Sequence, residues 1–138
     1  MNVARKNDEL TGRIIGLAIE VHRLLGPGLL ESTYEECLCL ELKRSDVGIK
    51  RQLSLPVIYK GLKLDCGYRL DLVVDNRVIV EVKSIERLIP IHEAQLLTYM
   101  KLSNIRTGLL LNFNCVVLKD GIRRMMLPEI NDKESVDR

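Results

Sequence analysis

Apolar residues between Glu9 and Leu25 recur at Leu10, Ile14, Leu17, Ala18, Val21 and Leu25. This spacing lines one side of a helix, which Gly26-Pro27-Gly28 then stops. A second helix is expected from close to Glu31 to about Arg44, with Tyr34, Cys37, Leu38 and Leu42 as a broad inner stripe. Ser32 and Thr33 each stand three residues before a glutamate, in the manner of a capping box. From Lys50 the period changes to two. Leu53, Leu55 and Val57 then share a face, and Pro56, which has no ladder donor, predicts an edge strand ending at the turn Lys60-Gly61.

Two further strands are expected, from about Leu62 to Val74 and from about Val78 to Ser84, joined by Asp75-Asn76-Arg77 into a three-stranded meander. Pro90 opens a helix over roughly Ile91 to Leu102, and the apolar run Thr107 to Leu111 reads as a buried strand. Strand, helix and strand in that order imply parallel pairing with a right-handed crossover. Asp120-Gly121 predicts a last hairpin between Val116-Val117-Leu118 and Met125-Met126-Leu127, with 128–138 as a polar tail. The pattern is therefore α/β in content and α+β in order, within a single domain over 1–138 whose core spans about 10–127.

Composition narrows the function classes. With 138 residues, 46% of them hydrophobic, one core is sufficient. A net charge of +2 neither demands nor excludes nucleic acid, so any such contact must rest on a local groove. The N-terminal MNVARKNDELTG lacks a signal-peptide core and the apolar runs are short, so a cytoplasmic protein with no membrane partner is expected. Cys37, Cys39, Cys66 and Cys115 form no Cys-x-x-Cys pair and read as buried free thiols. Aromatic residues make up only 4%, which disfavours a platform for stacking unpaired bases.

The strand RVIVEVKS carries two charges that composition does not explain. Alternation puts Ile79, Glu81 and Lys83 on one face and Val78, Val80 and Val82 on the other. A three-residue turn at Asp75-Asn76-Arg77 places Val74 opposite Val78 and Asp71 opposite Glu81, whereas a two-residue turn would not. Carboxylates facing each other across a ladder repel, and a divalent cation or Lys83 would relieve them. Glu31 at a helix start, and Gln95 and Tyr99 one helical turn apart with His92 near their face, are the residues able to join this group. Arg69 alternates onto the face of Asp71, within reach of a phosphate.

These positions carry a resemblance. Gly28-x-x-Glu31-x-x-Tyr34 within GPGLLESTYEECL, followed by Asp71, Glu81-Val82-Lys83 and Gln95-x-x-x-Tyr99, resembles the GxxExxY family of the PD-(D/E)XK nuclease superfamily over about Leu10 to Leu127. Leu70 stands where the superfamily name has proline. The resemblance implies a restriction-endonuclease-like fold, a mixed central sheet flanked by helices. It implies Mg²⁺ or Mn²⁺ held by Glu31, Asp71, Glu81 and the Val82 backbone carbonyl, with Lys83 orienting a water and Gln95 and Tyr99 bracing the site against a nucleic-acid strand. The implied activity is metal-dependent phosphodiester hydrolysis, with DNA the expected substrate and homo-oligomerisation left open.

Plainer readings stand beside it. Asp71, Glu81 and Lys83 could form a structural ion cluster, although three residues meeting in one register favour a site. Glu31 alone is an ordinary helix-start carboxylate, and Gln95 with Tyr99 an ordinary pair on an amphipathic helix. Tyr34 reads as core, and His22 and His92 as packing or surface residues. The alternative functions are a nucleic-acid-binding or interaction module that keeps the fold with little or no catalysis, and a metal-dependent hydrolase of another phosphoester.

Overall fold

The computed structural model describes residues 3–128. Helices α1 (Val3–Leu25) and α2 (Glu31–Arg44) precede strands β1 (Ile49–Ser54), β2 (Val57–Tyr59), β3 (Leu62–Leu64), β4 (Arg69–Val74) and β5 (Val78–Lys83). Helix α3 (Pro90–Ser103), β6 (Thr107–Asn112), a short 3-10 turn and β7 (Ile122–Met126) complete the chain. The main sheet has the order β1-β4-β5-β6-β7, with only β5 and β6 parallel. The result is a mixed sheet with α1 and α2 on one face and α3 on the other.

Alternation along the strands fills both layers. Leu72, Val74, Val78, Val80, Val82, Leu109 and Leu111 pack with α1 and α2, while Val73, Ile79 and Leu110 pack with Leu96, Tyr99 and Met100 of α3. Gly108 allows the second layer its close approach, since a Cβ there would lie 2.8 Å from the Met100 sulfur. Tyr34 is core, stacked on Phe113 with ring centroids 4.5 Å apart. Its hydroxyl donates to the Gly26 carbonyl (2.5 Å) and accepts from the Leu29 amide (3.1 Å). One tyrosine thereby ties the Gly-Pro-Gly loop to both helices it joins.

Several expected boundaries move. The alternating stretch after Lys50 is two strands, because Pro56 ends the pairing of β1 with β4. The expected strand from Leu62 to Val74 breaks at Asp65-Cys66-Gly67, where Gly67 has φ +80°. Between these breaks β2 and β3 form a separate two-stranded ribbon around the Lys60-Gly61 turn. The antiparallel partner of β7 is β6, not the segment 116–118, which lies in bends and the 3-10 turn. Helix α1 begins at Val3, before Glu9, and α2 starts at Glu31 with Leu30 as a cap that contributes no side-chain bond, so neither capping box forms. All four cysteines are free, but Cys66 is exposed and only Cys39 is fully buried. The tail expected over 128–138 falls outside the described residues from 129 onward.

Candidate active site

The turn at 75–77 sets Val74 opposite Val78, Val73 opposite Ile79 and Leu72 opposite Val80. Regular pairing stops there. On the other side of β4, the β1 ladder skips the pair Gln52 and Asp71, and Gln52 has φ +53°, a left-handed conformation unusual for a side chain of its size. Leu70 joins the α3 layer and Leu72 the opposite one, although an unbroken pleat would put both on one side. The sheet therefore opens on both flanks of Asp71.

Carboxylates replace the missing rungs. The Asp71 amide donates to Glu81 Oε2 (2.8 Å), and the Val82 amide donates to Asp71 Oδ2 (2.8 Å). Each acid thus accepts a backbone proton from the neighbouring strand and keeps its second oxygen out of this crossed pair. Glu81 is 6% exposed. Burial, then repulsion from Asp71, pushes its pKa up to about 8, against the Asp71 amide and the Lys83 charge. Asp71 is also raised, first by burial and then by Glu35, while the Val82 amide, Lys83 and Gln52 oppose the shift.

A further acid beside the pair is Glu35, while the contact that Glu31 makes is to the Ser84 amide. One turn further along α2, Glu35 is 6% exposed, accepts from Arg51 Nε (2.6 Å), and raises the pKa of both Asp71 and Glu81. Glu36 takes the other side of the Arg51 guanidinium at 2.7 Å. The Gln52 amide reaches both sides of the gap, donating to Glu35 Oε1 (3.0 Å) and Asp71 Oδ1 (3.4 Å). The left-handed backbone at Gln52 delivers that amide between two carboxylates. A glutamate within a Glu-Glu pair beside the stripe was a faint signal for Glu35; nothing local to Gln52 foretold its role.

Lys83 ends β5 half-buried, and its charge opposes the upward shifts of both Asp71 and Glu81. Among the described residues it forms no direct ion pair. The backbone around it is held on every side. Its carbonyl accepts from the Phe113 amide (2.9 Å); the Ser84 amide donates to Glu31 Oε1 (3.3 Å); and the Ser84 hydroxyl donates to the Leu29 carbonyl (2.5 Å). Glu31 therefore braces the end of β5. Buried Asn112 accepts from the Ile85 amide (3.1 Å) and donates to the Ile85 carbonyl (3.0 Å). Asn112→Ala should cost about 2–3 kcal/mol, since it strands the Ile85 and Asn114 amides and leaves the Ile85 carbonyl only the Asn114 side-chain donor, and a thermal melt would register it as a clear fall in Tm.

Other expected members lie at varied distances. Tyr99 is almost buried, rests against Tyr68 (centroids 6.0 Å apart) and has its pKa raised by burial and then by the Glu81 charge, so α3 does bring it to the acids. Gln95 lies one turn away on the exposed part of α3, and Arg69 is exposed at the start of β4. Val82 meets the group through its amide. His92 caps α3, accepting from the Ile89 amide at Nδ1 (3.0 Å), and buried His22 bonds the Cys115 carbonyl (2.7 Å).

A mixed sheet flanked by helices, opened at an acid pair with a lysine two residues beyond, is the architecture of restriction-endonuclease-like phosphodiesterases. The family model for the PD-(D/E)XK nuclease superfamily matches residues 8–125, and the chain belongs to that superfamily. Its domain is thus of the nuclease type. No curated protein and no solved structure matches the chain.

Nucleases of this superfamily are generally dependent on a divalent metal. Among the described residues no three His, Cys, Asp or Glu side chains converge on one point. Mg²⁺ does not require that, because it is commonly held by one or two carboxylates while waters and phosphate oxygens complete its shell. Asp71 and Glu81 supply two hard oxygen donors whose mutual repulsion a cation would cancel, so the residues fit such an ion.

Proposed function

We propose that the protein is a Mg²⁺- or Mn²⁺-dependent phosphodiester hydrolase acting on DNA in the cytoplasm, and that Gly28-x-x-Glu31-x-x-Tyr34 places it in the GxxExxY family. The observation that carries this reading is the crossed pair of Asp71 and Glu81 at the opening of the sheet, with Lys83 two residues further on. Stability alone does not call for such a pair, since buried like charges oppose folding. Asp71 and Glu81 would hold the ion, which would polarise the phosphate and acidify a bound water.

The chain's own groups do the rest. Two backbone amides hold the carboxylates in fixed orientation, so little rearrangement is needed when charge develops. Lys83, which has no ion pair among the described residues, offers its ammonium to the negative charge that builds on the phosphate oxygens as the ester bond breaks, and it keeps the attacking water in line. Glu35 adds negative potential behind the pair and is itself neutralised by Arg51. Glu31 acts on the site by bracing Ser84, and Tyr99 closes the α3 side, with Gln95 and Arg69 placed further out for the nucleic-acid strand.

Incubation with single-stranded, double-stranded and branched DNA, and with RNA, in Mg²⁺, Mn²⁺ or EDTA tests the proposal. Cutting that needs the cation and prefers DNA is the expected result. Failure to cut any substrate, while still binding nucleic acid, would replace it with the binding module. Hydrolysis limited to small phosphoesters would replace it with the third function.

A further inference from the structure

The β2–β3 ribbon takes no part in the main sheet, and its surface is unusual. Val57, Tyr59, Leu62 and Leu64 share one of its faces by pairing, and Tyr59 (59%) and Leu62 (65%) are largely exposed, as is Ile58 (57%) on the other. Lys60 forms the tip, lying 5.5 Å from the Tyr59 ring centroid, and Lys63 stands exposed on β3. Charge is concentrated here. Residues 56–69, the ribbon and its base, hold Lys60, Lys63 and Arg69 against Asp65, a net of +2 that equals the charge of the whole chain.

The ribbon's base is anchored beside the acid pair. The Leu55 amide donates to the Tyr68 carbonyl (2.9 Å), Leu55 is buried in the α3 layer, and Tyr68 rests against Tyr99. Asp71 follows Tyr68 by three residues. A paired ribbon, an anchored base and exposed apolar side chains describe an arm built to meet a partner, not a loop. The charge decides which partner: a second copy would bring the same cations against these, whereas a polyanion complements them.

We propose that the β2–β3 ribbon is a DNA-gripping arm that enters the major groove of a B-form duplex next to the phosphate to be cut. This deepens the hydrolase reading of the site, on which it rests for its choice of nucleic acid as the anion. Two strands roughly 4.8 Å apart with their side chains match a groove about 12 Å wide and about 8.5 Å deep, while the major groove of A-form RNA is too narrow. Lys60 and Lys63 meet phosphates; Tyr59 and Leu62 meet sugars and thymine methyl groups.

Binding of a fluorescein-labelled DNA duplex to the whole protein in EDTA, followed by anisotropy across a NaCl series, tests the arm without any cleavage. Lys60→Ala/Lys63→Ala should weaken binding about tenfold at moderate salt and reduce the slope of log Kd against log salt by about 2. Lys60→Arg/Lys63→Arg should keep the slope, and circular dichroism melts should match the wild type for both. An unchanged slope and affinity in the alanine variant would overturn the proposal, as would equal binding of single strands or duplex RNA. Dissociation of a dimer by Leu62→Ser in light scattering would overturn it in favour of an interface between copies. A protein that binds duplex through the ribbon yet cuts nothing would keep this inference and remove the hydrolase reading. One that cuts DNA with ribbon-independent affinity would do the reverse.

Discussion

Lys83→Ala should reduce kcat for DNA cleavage by about 10²–10³-fold with little change in KM, the range expected when one preorganised charge is removed from a transition state. The expectation follows from position. Lys83 is a cation whose charge acts on both acids, is held from behind by the Phe113 amide and by the braces on Ser84 and Ile85, and has no direct ion pair among the described residues to consume its charge. Lys83→Arg keeps the charge but not the compact shape, so partial activity should return. Single-turnover cleavage with saturating Mg²⁺ is the measurement, and wild-type rates in Lys83→Ala would remove the lysine from the chemistry.

Glu81→Gln should abolish cleavage and at the same time stabilise the metal-free protein at pH 8 to 9. The sign follows from linkage. The Glu81 pKa rises on folding to about 8, so the folded state binds its proton more tightly than the unfolded chain does. The benefit is complete below the ordinary glutamate range and is lost as pH rises through about 8. The metal-free wild type should thus lose on the order of 5 kcal/mol between those limits, and the glutamine variant, which cannot ionise, should not. Added Mg²⁺ should restore much of the lost Tm in the wild type and little in the variant. Melts at several pH values with EDTA or Mg²⁺ decide the matter: a wild-type Tm insensitive to both would mean that no such strain exists.

Much of this was legible in the chain because it depends on parity and turn length. Three residues between Val74 and Val78 fix the register that the structure has as far as Leu72 and Val80, and Asp71 and Glu81 meet just beyond it through backbone amides in place of a ladder rung. The apolar runs around Pro90 likewise gave the parallel β5 and β6 with α3 between them. The ribbon was hidden because Pro56 and Gly67 break strands whose side-chain alternation continues past the breaks. Glu35 is hard to single out because a helical wheel ranks Glu31 and Glu35 as neighbours, and only their distant partners separate one that braces Ser84 from one that shares Gln52 with Asp71. Gln52 and Asn112 gain their meaning entirely from distant partners, for which no local pattern exists. The Gly28-x-x-Glu31-x-x-Tyr34 signature, read by resemblance as partly catalytic, is in its described contacts a bracket: tyrosine to loop, loop and glutamate to Ser84.

The two amides that donate to Glu81 and Asp71 are also reporters. In an ordinary ladder the protons on Asp71 and Val82 would be shielded by carbonyls that never change charge; here each is shielded by a group that titrates and would bind the ion. Their nuclear resonances and their rates of exchange with solvent deuterium should move together when the acids ionise or take up a cation, and amides elsewhere in β4 and β5 should stay still. The occupancy of the site can thus be read from two backbone positions, with no substrate present.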